Sequence, residues 1–158
     1  MEIDTAVRRM LLLQPSVIGY TGQKVFKNEL LEMVDQTGGR AVVVRKNGGT
    51  ADPQTVNTDE YPVLTVECWA DCDRNPDGSV SVQNAIDKAY AVYRVVDAVM
   101  NRARDVWWGA GGSAVGVRVL SCGKASEPMH ETSKDMHGAT KVGDSAVVSV
   151  EYELHIAP

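Results

Sequence analysis

The closing stretch of the chain, Ala146 to Ile156, leaves few folds open. Val148, Val150, Tyr152, Leu154 and Ile156 alternate there with Ser149, Glu151, Glu153 and His155. A period of two places the first set on one face of a β-strand and the second set on the other. One face is dry and one is wet. Such a strand belongs in a sheet covered on one side only, which is the habit of antiparallel sheets. The chain also carries a cover for it. From about Ser81 to Arg104, Val82, Ile86, Ala89, Tyr90, Tyr93, Val96 and Met100 recur at three- and four-residue intervals, the spacing of an amphipathic helix. About 22 helical residues would span roughly 33 Å. Asp87 lies early in it and Arg102 and Arg104 lie late, which suits the helix dipole.

The remaining elements are shorter. Ile3, Val7, Met10 and Leu11 predict an N-terminal helix with Asp4 as its N-cap and Arg8 and Arg9 nearer its polar side. Pro15 ends that helix and is suited to open one more turn before Gly19. An extended piece around Val25 and Phe26 follows, then a helical candidate from Asn28 to Val34, then the β-branched run Ala41 to Val44 after Gly38 and Gly39. Val63 to Trp69 alternates as a strand, with Leu64, Val66 and Cys68 on one face and Thr65 and Glu67 on the other. Asp71 to Gly78 supplies a turn. After Trp107 and Trp108, the link Gly109 to Gly112 leads to a strand in which Val115, Val117 and Val119 share a face and Arg118 points the other way. Two stretches are polar and poor in core residues. Asn47 to Tyr61 is rich in turn formers and reads as an excursion; Gly123 to Ser145 reads as an extended hairpin or a long functional loop. The order predicts a single α+β domain over 1–158, a mainly antiparallel twisted sheet with the long helix and the shorter N-terminal helix packed on one face.

Composition narrows the function classes. The 158 residues carry 16 Lys and Arg against 21 Asp and Glu, a formal charge of −5. That balance argues against attachment to DNA phosphates or an anionic bilayer as the main activity. No apolar run exceeds five residues, against about 20 for a membrane-crossing helix. With Glu2 and Asp4 near the start and only Met10 to Leu13 as an apolar block, the opening is unlike a secretory leader, and the cytoplasm is the expected compartment. Three cysteines are too few for a disulfide framework.

Motifs for catalysis fail on residue type. Gly109 to Gly116 lacks the third glycine of a dinucleotide loop and runs into valines, and Gly123-Lys124 is followed by Ala125 where a phosphate loop needs a hydroxyl. Around Ser113 the nucleophile-elbow pattern breaks at Val115. His130-Glu131 continues to Lys134, where a zinc protease needs its second histidine. A tetrahedral metal could draw on Cys68, Cys72, Cys122 and either His130 or His137, but the spacing forms no knuckle and there is no second close pair. The residue-level reading therefore expects no catalytic, metal or cofactor residues. A small metal-dependent or hydrolytic enzyme, and a binding module using Trp69, Trp107 and Trp108, are the alternatives of other classes.

The blocks taken together resemble a known family. Met1 to Leu12 with Gly22-Gln23-Lys24-Val25-Phe26, Val63 to Asp71 ending in Trp-Ala-Asp, and Gly116-Val117-Arg118-Val119 with the closing strand are similar, in order, to tail terminator (tail completion) proteins of bacteriophages with long non-contractile tails. The resemblance implies a virion structural protein, assembled in the host cytoplasm, that caps the head-proximal end of the tail tube as a sixfold ring. It implies no enzymatic activity and no cofactor. Its implied partners are further copies of itself, the tail tube protein, the head–tail connector, and genomic DNA passing through the lumen without specific binding; no membrane is involved. A head-closure or connector protein of the same joint is the neighbouring alternative. A ring closed head to tail needs two different patches per subunit. The candidates are Arg118 for a salt bridge across an interface, Trp107 and Trp108, Asp52, Asp59 and Glu60 in the first polar stretch, and Lys124, Glu127, Glu131 and Lys134 in the second.

Overall fold

Among the described residues ten elements follow one another: α1 (Ile3–Leu12), α2 (Pro15–Thr21), β1 (Val25–Lys27), β2 (Arg40–Ala51), β3 (Glu60–Asp71), α3 (Val82–Met100), β4 (Arg104–Trp108), β5 (Val117–Lys124), β6 (Met129–Thr132) and β7 (Ser145–Ile156). The computed structural model describes residues 1–28, 39–51, 59–73, 76–79, 81–132 and 145–158. The strands form one sheet in the order β1-β2-β3-β7-β5-β4, with β6 pairing β7 beyond the end of β5. Only β1 and β2 run parallel; the other pairs are antiparallel, and the expected α+β class is what is found.

The dry positions of each strand come together as the alternation requires. Val42, Leu64, Val66, Cys68, Val148, Val150, Tyr152 and Leu154 form one core with Val7, Met10 and Leu11 of α1 and Ala89, Val92, Val96 and Met100 of α3. Burying aliphatic side chains of this size contributes about 1.5–3 kcal/mol each. Ala41, Val43 and Val147 are also buried, but they occupy the opposite sheet face, where Ala41, Trp69 and Val147 stand in one cross-strand row.

Several boundaries differ from the sequence reading, each for a local reason. The N-cap of α1 is Glu2, not Asp4; Asp4 lies inside the first turn, buried, 3.3 Å from the Lys27 ammonium. Arg8 is not simply on a wet face, because its Nε donates to the Val25 carbonyl at 2.7 Å. α3 begins as expected, with the Ser81 hydroxyl accepting from Asn84 N, but stops at Met100 instead of Arg104. There Arg102 N donates to Cys122 O and Cys122 N to Ala103 O, so bonds to β5 replace the next helical turn. Arg104 to Trp108 then forms a strand that the sequence reading did not assign. Val115 shares no face with Val117 and Val119, since β5 starts only at Val117 and Val115 is 78% exposed.

Of the stretch 47–61, residues 47–51 and 60–61 are strand instead of excursion, with one extra residue absorbed between Lys46 and Gly49, and 52–58 lie outside the described residues. In 123–145 the described residues include the strand β6, and 133–144 lie outside the described residues. β5 and β6 run antiparallel along β7, and Ala125 N to Glu151 O bridges the break between them. Of the helical candidate Asn28 to Val34 only Asn28 lies within the described residues, and its N–H donates to Val44 O.

Candidate functional site

Three of the residues proposed from sequence meet at one end of the sheet. Glu60, Trp107 and Arg118 line an open cleft of about 450 Å³, together with Met1, Val115 and Pro158. β4 and β5 set this up by pairing Trp107 opposite Arg118. Trp107 is 58% exposed, while Trp108, one residue on, is 5% exposed and belongs to the core. The expectation that both tryptophans serve an interface is therefore corrected for Trp108, because adjacent strand residues point to opposite faces. Arg118 does form a salt bridge, but within the chain: its Nε lies 2.7 Å from Asp105 Oδ1, and the guanidinium holds Asp105 below the usual carboxylate range. Gly116 is required behind the cleft, since a Cβ there would fall 2.5 Å from Trp108 O. Asp59 lies beside the same end, its Oδ2 2.7 Å from His155 Nε2. Asp52 and Lys134 lie outside the described residues.

The second surface is the sheet face turned away from the helices. Glu131 joins Glu151 and Glu153 there, all exposed, with Met129 beside them at 73% exposure. None of the three carboxylates makes an ion pair among the described residues. Glu151 and Glu153 were not singled out from sequence as site residues. The signal is present in the closing strand, whose wet positions include these two glutamates, but it gains meaning only once β6 places Glu131 on the same face, opposite Val147.

Lys124 is not part of that surface. It faces α3, where its Nζ donates to the Tyr93 hydroxyl at 3.3 Å. Glu127 sits close enough to act electrostatically on both. This seam continues with the Tyr152 hydroxyl, which donates to Asp97 Oδ1 at 2.7 Å, and with Tyr90, whose hydroxyl lies 3.1 Å from His130 Nδ1. Burial first, and then the neighbouring Asp97, raises the Tyr152 phenol above its ordinary value. The seam ties the long helix to β5, β6 and β7.

All three cysteines are buried and unbonded to one another. Burial pushes the Cys122 thiol up to about 12 and the Cys68 thiol higher still, which favours the protonated form of both. Among the described residues no three His, Cys, Asp or Glu side chains gather as a metal site, and no helix is long and apolar enough to cross a membrane.

No family model matches the chain, and no curated protein matches it. Among solved structures, a chain from the virion of a native gene transfer agent (GTA) particle is similar in fold. It superposes with a TM-score of 0.62 at 11% identity, covering 99% of this chain and 95% of the other.

Proposed function

We propose that this chain is a virion structural protein, and within that class a tail terminator. It caps the head-proximal end of a tail tube as a closed ring, stops tube growth, and presents its other side to the head connector. The observation that carries the reading is the near end-to-end likeness of fold to a chain of a gene transfer agent virion. The ordered sequence blocks that resemble the terminator family point the same way.

Two features of the sheet support it. Glu60 pairs with Ile156 at one end of the β3–β7 ladder and Asp71 with Ser145 at the other. Eleven steps of about 3.3 Å separate them, roughly 36 Å. The strand ends flanking 52–58 and 133–144 therefore lie at opposite ends of the molecule, as a subunit bridging two partners along one axis requires. The face carrying Glu131, Glu151 and Glu153 is the natural wall of a channel, because unpaired carboxylates repel passing DNA phosphates. Six copies at −5 each would make the ring strongly anionic. In this reading the virion is the protein's final location, and it has no catalytic role and no cofactor.

Native mass spectrometry over a range of concentrations, followed by electron microscopy with purified tail tubes, tests the reading. A species of six times 17.1 kDa that decorates one tube end is expected. A ring that ignores tubes and binds only connectors would instead assign it to head closure. A metal-bearing monomer that binds neither would overturn both.

A further inference from the structure

The β2–β3 hairpin has one weak cross-section. On the β2 side the pairing steps from Lys46–Leu64 to Gly49–Pro62, leaving Asn47 and Gly48 opposite Val63 alone. Pro62 has no N–H to give to a ladder. Gly48 and Gly49 adopt φ values of +127° and +128°, which favour glycine. On the β7 side the pairing stops at Val63–Glu153 and resumes only at Glu60–Ile156. An open cleft of about 510 Å³ between Gly49, Tyr61, Val63 and Glu153 occupies the gap. Within residues 61–63, β3 thus meets a bulge on its β2 side and a gap in the ladder on its β7 side.

Beyond that level the hairpin's own ladder is intact, pairing Thr50 with Tyr61 and Ala51 with Glu60. One side chain of β7 reaches across to it. The His155 ring stacks on Tyr61, with centroids 4.6 Å apart and planes 17° apart. Its Nε2 also meets Asp59 Oδ2 at 2.7 Å.

We propose that the hairpin end formed by 49–51 and 59–61 is a hinged arm, bending at the Gly48–Pro62 section and clipped to the closing strand by His155. A bulge alone bends a strand without freeing it, and a stacked histidine alone adds only a surface contact. Together they make a segment that leaves or joins the sheet as a unit, because among the described residues the arm is internally paired and joined to β7 through Glu60–Ile156 and His155. The inference goes beyond the ring reading and stands whether or not the chain forms one.

Hydrogen-exchange mass spectrometry on the full-length protein tests it, comparing the amides of Glu60 and Tyr61 with those of Val66 and Cys68 on the same strand. His155→Ala should raise exchange at the first pair about tenfold and leave the second pair unchanged, the pattern of a local opening. His155→Phe, which keeps a ring on Tyr61, should recover part of the protection. Equal arm rates in wild type and His155→Ala would overturn the proposal. So would a rise spread evenly along β3, which would make His155 a support of the whole sheet. Should His155→Ala fail to fold, Asp59→Asn decides, and no rise at Glu60 and Tyr61 in that variant would overturn it equally.

Discussion

Tyr152 shows how one side chain serves two requirements. Its ring is fully buried on the dry face of β7, and its hydroxyl finds Asp97 on α3 at 2.7 Å. Tyr152→Phe keeps the ring and strands the carboxylate, which should cost about 1 kcal/mol and lower Tm by about 2–4 °C. An unchanged melting curve in calorimetry would mean that water replaces the hydroxyl. The alternation of the closing strand marked Tyr152 as a core position, but nothing in it named Asp97, 55 residues away. Asp73 offers a pH-dependent counterpart. The buried Lys88 ammonium lies 3.1 Å from its carboxylate and lowers it from the ordinary value. A carboxylate lowered in the folded state binds fewer protons there than when unfolded, so its stabilisation is present above the unfolded value and lost as pH falls through the folded one. Asp73→Asn should therefore be less stable than wild type near neutrality, with the difference shrinking below about pH 4. Urea midpoints measured from pH 7 to pH 3 would show it, and a gap that stays constant over that range would refute the ion pair's role.

At the scale of elements, the bulge in β2 and the end of α3 share a cause. Hydrogen bonds to a neighbouring strand outweigh local preference. Gly49 is held so close to β3 that a Cβ would fall 2.4 Å from Pro62 Cα, whereas a Cβ on Gly48 meets nothing within 4 Å. Both positions have left-handed φ, which costs another residue about 1–3 kcal/mol. Gly49→Ala should thus destabilise clearly more than Gly48→Ala, because only the first adds a backbone clash to the strain. Chemical denaturation of the two variants side by side checks this, and equal losses would place the constraint in the dihedral alone. The stretch around these glycines reads as a loop in sequence because turn formers cluster there. The sheet uses the same residues as a bulge, and a composition count cannot tell the two apart.

For the whole molecule, charge placement matters more than net charge. Replacing Glu131, Glu151 and Glu153 together by lysine adds two charges at each site and moves the subunit from −5 to +1. All three are exposed side chains on the sheet face turned away from the helices, so the fold should survive. In the terminator reading DNA should then adhere to the channel, slowing its release from particles at low salt and recovering as salt is raised. Release at the wild-type rate across that range would remove this face from the channel wall.

The local patterns of this protein are written in short stretches of its chain. The dry and wet faces of β3 and β7, the inner face of α3, and the helix after Pro15 all follow from periodicity and turn chemistry within a dozen residues or so. Tertiary structure alone decided what met what. It gathered Glu60, Trp107 and Arg118 around one cleft, put Glu131 on the sheet face that carries Glu151 and Glu153, sent Trp107 to solvent and Trp108 to the core, and took Arg104 from the end of the expected helix into β4. The physical reason is range. Side-chain alternation and helix capping act between near neighbours in the chain, whereas a cleft, a charged face or a strand pairing exists only after distant segments share a sheet. No local pattern encodes those distances.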